Sequence, residues 1–432
     1  MEIHRSTFLA ICALYLTFWL TACKKDNEDK QSPYVHWQTP YEGAAFYYQG
    51  NIVVRAHVTD NKKLESVRVD VINSANTKFL QENIQSSSSG DLEIETTIYH
   101  DDKYLESGTY FVRITASDGE NTTTAYRQIT LYEAPRVLLK ELAARDNGAS
   151  SSIDSLNNGS SYAWFTTDGF AFGAIDSRRN TIIIGEANNN STTVYELPEL
   201  FPISGGNLQL PADDGFLAFY QDKKNHDSYI TTNNGQIWKH GGNTYSLFAD
   251  LGSIKIQHIY ATDQYLYLVS NAPNSSAESY IYVYYRTTGA FFQSTSFNFE
   301  VKGIAMLEDE NHMLLVGNEN SNSIFKIYNN TTNALNSVFN FYDSGLVSGL
   351  CEGDDGEYYV SHSSGIAHYS SYLENYAISN TLNPSVMQFE EISGNVYVIT
   401  NDGIRIMNNN CSQELDFIAG TEFKDVIFYY NK

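Results

Sequence analysis

Three pairs of adjacent carboxylates are the residues best placed, by type, to do chemistry: Asp213/Asp214, Asp354/Asp355 and Glu390/Glu391. Two carboxyl groups facing each other across a cleft can hydrolyse a glycosidic bond. The first two pairs, however, sit in Ala212-Asp213-Asp214-Gly215 and Gly353-Asp354-Asp355-Gly356. Aspartate is favoured there because its carboxylate bonds back onto the turn's own backbone, so a turn-forming role is the expectation. Histidines form two candidate ligand pairs, His226/His240 and His362/His368. His362 and His368 fall on successive strands of one hairpin, and no helical His-Glu-x-x-His brings two rings to one face. Acidic turns offer oxygens to Ca²⁺, but no stretch has the 12-residue EF-hand spacing. No metal site and no cofactor site is expected.

Other chemistries lack their residues. A sialidase clamps a carboxylate with three arginines. Arg136, Arg145, Arg178, Arg179, Arg286 and Arg405 are present in the C-terminal two thirds, none in the aromatic-Arg-Ile-Pro context of that family. There is no Gly-x-Ser-x-Gly elbow, no Cys–His pair in a known context, no phosphate-binding loop and no dinucleotide glycine fingerprint. No catalytic residue is assigned. Aromatics remain: Tyr284, Tyr285, Phe291, Phe292, Tyr369 and Tyr372, with Tyr376 nearby. Aromatic platforms stack on sugars and anchor protein contacts, so the first six are the candidate binding surface, although packing between sheets also consumes Tyr and Phe.

The chain that must position these groups has 432 residues, with 32 Tyr and 23 Phe, 42% hydrophobic and 18% charged residues. Tyr, Phe, Val, Ile and Thr suit a half-buried pleated surface, and the abundant Asn, Gly, Asp and Ser suit tight turns. The composition is that of an all-β protein. The formal net charge of −24 repels phosphate backbones and excludes nucleic acid as a partner. Cys351 and Cys411 lie far apart, and the apolar run Gly349-Leu350-Cys351 suits a buried free thiol, although export would permit a disulfide.

The first residues have the form of an export signal. His4 and Arg5 precede an apolar run from Phe8 to Leu20 that is short for a membrane span. It ends in Leu20-Thr21-Ala22-Cys23, which resembles the lipobox of bacterial lipoproteins. The resemblance implies removal of residues 1–22, diacylation of Cys23 and a membrane anchor. Residues 23–32 then form a charged tether. Lys24-Lys25-Asp26-Asn27-Glu28-Asp29 resembles the export signal that sends lipoproteins of Bacteroidota to the outer face of the outer membrane, a periplasmic location being the alternative. Asp154-Ser155-Leu156 resembles the O-glycosylation motif of that phylum and marks Ser155 as a candidate.

Two β domains follow. In residues 33–134, alternation places Ile52, Val54, Ala56 and Val58 on one face, then Val67, Val69 and Val71, then Leu92, Ile94, Thr96 and Ile98, then Tyr110, Val112, Ile114 and Ala116, with Ile129 and Leu131 last. Short alternating strands separated by turns argue for a β-sandwich. Ser107-Gly108-Thr109-Tyr110 through Ala116-Ser117-Asp118-Gly119 resembles bacterial Ig-like and PKD-like modules, which implies a spacer. In residues 136–432, first strands expected near Phe170, Asn207, Ile254, Val301, Val347, Val386 and Phe423 recur at intervals of 37 to 47 residues. Very apolar second strands follow, such as Phe216-Leu217-Ala218-Phe219 and Tyr265-Leu266-Tyr267-Leu268-Val269. That period is the blade length of a β-propeller, and seven repeats imply seven blades, six or eight being the alternatives. The final strand after Phe423 has no partners behind it, so both chain ends complete one blade.

As a whole the chain resembles Bacteroidota surface lipoproteins with an Ig-like module and a degenerate propeller. The resemblance implies a non-enzymatic binding or scaffold protein, held to the membrane through Cys23, whose propeller face contacts a protein or a glycan. The alternative is a polysaccharide lyase or hydrolase with its site at the channel mouth.

Overall fold

A computed structural model describes residues 29–432 apart from 205, 223, 242–243, 272–277, 308, 340–344, 355 and 371–374. The leader and Cys23 lie outside the described residues, as does Tyr372. Among the described residues there is no α-helix, and so none long and apolar enough to cross a membrane. The chain divides into two compact units, Met1–Pro135 and Arg136–Lys432.

The first unit is a two-sheet sandwich. One sheet has the order Tyr34–Thr39, Gly50–Thr59, Asp91–His100. The other has the order Ala44–Phe46, Thr122–Leu131, Gly108–Ser117, Leu64–Ile72, Lys78–Ser87. The alternating residues of the sequence form its core: Ile52, Val54, Ala56 and Val58 from one sheet meet Val67, Val69, Val71, Val112, Ile114 and Ala116 from the other. Period-2 alternation turns these side chains inward together, while Arg55 on the opposite face pairs with Glu95 in solvent. Tyr110 Oη donates to the Glu106 carbonyl at 2.9 Å, tying the start of its strand to the preceding corner. Arg113 holds the buried Asp70 with two parallel bonds of 2.8 and 2.7 Å. Three strands had no clear alternation in sequence: Tyr34–Thr39, Ala44–Phe46 and the edge strand Lys78–Ser87.

The second unit contains seven four-stranded antiparallel sheets among its described residues. We number them as blades by their first strands: Phe172–Asp176, Phe216–Gln221, His258–Ala261, Glu300–Met306, Val347–Glu352, Val386–Glu390 and Phe423–Tyr430. First strands of successive blades pack side by side around the ring. Between blades 1 and 2, the Phe172 ring stacks on Phe219 with centroids 4.3 Å apart. Blade 7 joins the two ends of the unit, because Phe423–Tyr430 pairs with Leu138–Asp146, followed by Ser151–Asn157 and Ser160–Thr167. The last strand thus supplies the ladder partner that an open sheet edge would lack. Second strands such as Thr181–Glu186 are buried on both faces, because each blade is covered by a neighbour on either side.

One register is corrected. Asn207 does not begin a first strand, and Phe216–Gln221 is the first strand of blade 2 rather than its second, which is Ser228–Thr232. The outer strand of blade 1, Phe201–Pro202, is only two residues long. The segment after it continues along the same edge: Thr192 N donates to the Leu208 carbonyl at 2.8 Å and Leu210 N to Asn190 at 2.9 Å. Leu208 and Leu210 pack against Ile183, Val194 and Ile230. The apolar alternation that suggested a first strand belongs to this edge segment.

Candidate functional site

The turns after the first strands of blades 2 to 6 enclose a cavity of about 610 Å³. Three phenols line it, Tyr220, Tyr260 and Tyr358, together with six carboxylates: Asp222, Asp263, Glu310, Glu352, Asp354 and Glu391. Lys224 is the only basic side chain among the described lining residues. Alternation along the first strands turns Tyr220 and Tyr260 toward each other across the blade 2–3 boundary, ring centroids 5.0 Å apart. Tyr260 Oη donates to both oxygens of Glu352, at 3.1 and 3.0 Å. Tyr220 Oη donates to the Ala261 carbonyl at 3.4 Å, and Tyr358 Oη to that of Met306 at 2.8 Å. Burial, and then the Glu352 charge, push the Tyr260 and Tyr220 phenols far above their ordinary range. Both therefore remain protonated donors.

The wall behind is rigid. Arg286 is 5% exposed and pairs with Asp222 and Asp227, also donating to the Thr262 carbonyl at 2.8 Å and to Tyr229 Oη at 3.2 Å. It ties the blade 2 turn to blade 3. Burial works to raise the Asp222 pKa, but bonds from Asn225 and Arg286 outweigh it and hold the carboxyl low. Lys224 is paired with Asp263, and Glu391 with Arg136. Counting Arg136, Arg286 and Lys224 against the six lining carboxylates, negative charge is in excess. Aromatic faces beside carboxylates attract cations and stack on the apolar faces of sugars.

Behind this mouth lies a second space of about 540 Å³, lined by the first strands of blades 1, 2, 5, 6 and 7, with Tyr220 and Gln221 common to both. Phe172, Phe219, Leu350 and Phe428 supply apolar wall, Gln221, His226, Gln388 and Lys432 supply polar groups, and Asp425 is set among them. Asp425 accepts from Gln388 Nε2 at 2.9 Å and from Val426 N at 2.8 Å. Burial nevertheless raises its pKa to about 6.

The residues singled out by sequence divide between these spaces and structural duties. Asp354 and Glu391 line the cavity, whereas Asp355 lies outside the described residues. Glu390 is buried and fastens its own turn, accepting from Ile392 N at 3.0 Å, Ser393 N at 2.7 Å and Tyr430 Oη at 2.8 Å. Asp214 accepts from Gly215 N and Asn234 N, the turn-forming role expected, and Asp213 is exposed beside it. The histidine pairs do not converge. His368 stands opposite Tyr359 and pairs with Glu357, while His362 stands opposite Gly365. His226 bonds Asp176 at 3.2 Å, and His240 packs against Tyr245 in the interior. Cys351 and Cys411 form no disulfide and are buried in one apolar cluster.

The aromatic surface is corrected in part. Tyr284 and Tyr369 are 8% and 3% exposed and belong to inter-blade cores, because their positions turn inward. Tyr285, Phe291 and Phe292 are exposed, with Tyr285 and Phe292 grouped around Tyr265 on blade 3, and none of them lines the acidic cavity. Ser155 is half-buried in mid-strand, opposite both Leu142 and Tyr162. The sequence reading missed Tyr220, Tyr260, Asp222, Asp263 and Glu352. Their signal is a carboxylate recurring at or just beyond the end of the first strand: Asp176, Asp222, Asp263, Glu352 and Glu390.

No protein-family profile matches the chain, and no curated protein matches it. Solved structures do resemble it. A protein from Lactobacillus plantarum aligns over 68% of this chain and 99% of its own, with a TM-score of 0.53 at 11% identity. A quinonprotein alcohol dehydrogenase-like protein from Bacteroides thetaiotaomicron aligns over 90% and 97%, with a TM-score of 0.47 at 10% identity. Apo AztD from Citrobacter koseri aligns over 66% and 83%, at 0.48 and 10%. At these identities the likeness concerns the fold. The second unit is a seven-bladed β-propeller.

Proposed function

We propose that this chain is a lipid-anchored binding protein of the outer-membrane surface, and that its propeller holds a protein or glycan ligand at the acidic, tyrosine-lined cavity. The observation that carries the reading is the cavity's chemistry. It offers fixed phenol donors, stacking faces and an excess of carboxylates, but no activated nucleophile among its described lining residues. A ligand presenting a cationic group beside an apolar or sugar face matches that lining. The sequence Leu20-Thr21-Ala22-Cys23 supports the anchor, and the acidic tether supports outward placement. The Tyr110 corner bond supports an Ig-like sandwich serving as spacer.

Titration calorimetry with a lysine-rich peptide and with an amine-bearing oligosaccharide tests the ligand class. Tyr260→Phe removes one donor and Glu352→Gln one charge, and each is expected to weaken binding roughly 5- to 30-fold, by about 1–2 kcal/mol. The affinity should also fall with added salt. Equal affinity in wild type and both variants would sink the cavity as the binding site.

A second reading is favoured by Asp425. A carboxyl whose pKa is about 6 could donate a proton in an enzyme acting on polysaccharide. Assay for new reducing ends or unsaturated products separates the two, because turnover abolished by Asp425→Asn would establish the enzyme.

A further inference from the structure

The sandwich carries an acidic cluster that the propeller reading does not use. One carboxylate oxygen from each of Asp29, Asp60 and Asp118 falls within 4.8 Å of the other two. The three come from different places in the chain: the segment before the first strand, the turn after Gly50–Thr59, and the turn after Gly108–Ser117. The Asp29 side chain is only 3% exposed, its Oδ2 meets only the distant Lys62 ammonium, and Asp60 Oδ2 is buried without a hydrogen-bond donor. Buried acceptors of this kind are costly unless something satisfies them. The nearest cation is Lys62, whose Nζ lies 3.5 Å from Asp29 Oδ2 and 3.4 Å from Glu120 Oε1. One half-exposed ammonium does not offset three converging carboxylates and Glu120.

The Gln31 amide, against opposing burial, holds Asp29 below the usual carboxylate range. Burial would raise Asp118, but bonds from Asn121 and Glu120 outweigh it.

We propose that Asp29, Asp60 and Asp118 bind a calcium ion that fastens the segment leading into the sandwich to two turns at that end. The donor set decides the metal. All three ligands are hard oxygens on loops, with no thiolate or imidazole among the clustered groups, which suits Ca²⁺ rather than Zn²⁺. Further oxygens are at hand. Glu120 already reaches Asp29 N at 2.6 Å. Asn61 and Asn121 point side-chain amides at Asp29 Oδ1 and Asp118 Oδ2, both at 3.1 Å. Turned over, the Asn61 amide presents its carbonyl oxygen instead, whereas Asn121 is held in place by its bond to the Asp29 carbonyl at 2.9 Å. Loading requires the Lys62 ammonium to swing outward, which its exposure permits. Lysine and calcium thus compete for one site, and the end of the sandwich is fastened more tightly when calcium replaces lysine.

The test is calorimetric titration of calcium chloride into the full chain after stripping with chelator, with thermal unfolding of the sandwich followed alongside. Binding with a dissociation constant of about 0.1–1 mM, the range of extracellular calcium modules, is expected. The sandwich transition should rise by about 5–10 °C in about 10 mM calcium. Asp60→Asn preserves the turn bond to Lys62 N and should weaken binding at least 10-fold. Lys62→Met removes the competitor and should tighten it, an outcome that a purely structural salt bridge would not produce. Absence of binding, or binding unchanged in Asp60→Asn and so belonging to the acidic propeller cavity, would overturn the proposal.

Discussion

Asp425 and His240 in the propeller titrate in the same pH window with opposite sign. Asp425 has its pKa raised by burial to about 6, against about 4 in an unfolded chain. Between these values the folded state holds a proton that the unfolded state has lost, so this group's contribution to stability falls as pH rises. His240 is the reverse: burial, and then Arg179, lower it to about 4, against about 6.5 unfolded. Its contribution is present above pH 6.5 and lost as pH falls through the window. The two offset each other in the wild type. Asp425→Asn should stabilise the propeller by about 2 kcal/mol at pH 7, with the gain vanishing near pH 4. His240→Phe should flatten the remaining loss on the acid side. Urea unfolding of both variants at several pH values checks this, and a difference from wild type that does not vary with pH would refute the assignment of either group.

At the level of elements, the strand that closes the ring is the one whose removal has the widest effect. Phe423–Tyr430 supplies Ile427 and Tyr429 to the core shared with blade 1, and Phe423 and Val426 to the core shared with blade 6. Truncation after Gly420 would strip Leu138–Asp146 of one of its two partners, exposing a long sheet edge as well as both cores. The expected result is loss of cooperative unfolding and aggregation on size-exclusion chromatography. A monomer with an unchanged melting transition would show that closure contributes little. This strand was legible in sequence because its apolar residues alternate and its place fits the repeat. Blade 2 was misregistered because the sequence cannot distinguish alternation on a first strand from alternation on an outer edge. Both bury every second side chain, and only the hydrogen bonds of Leu208 and Leu210 to blade 1 separate them. The acidic cavity was hidden for another reason. Tyr260 and Glu352 lie 92 positions apart and meet only because successive first strands place their ends at one mouth. Each looks unremarkable in its own blade. Asp354 was visible, but as a turn residue, which it also is.

For the whole molecule, the order of parts supports the proposed tethered display: the proposed lipid site at Cys23, a short acidic run, a sandwich of about 100 residues and a propeller whose cavity gathers negative charge. A single acyl chain holds a protein to a membrane only marginally, whereas two or more give stable attachment. Attachment should therefore depend on Cys23 almost entirely, since the net charge of −24 repels anionic lipid and gives the folded units no electrostatic affinity of their own for it. Cys23→Ser is expected to abolish labelling by a radioactive fatty acid and to move the chain from the membrane to the soluble fraction. Orientation separates from attachment. If Asp26, Glu28 and Asp29 direct the anchor outward, protease added to intact cells should degrade the propeller in the wild type. Replacing Asp26 and Glu28 by alanine should leave the chain lipidated but protected. Asp29 is best spared, because it also belongs to the proposed calcium site. Protection of the wild type would place the chain on the periplasmic face, where the cavity would meet a different set of ligands. Degradation of wild type and variant alike would mean that the acidic run does not direct export, even though the propeller faces outward.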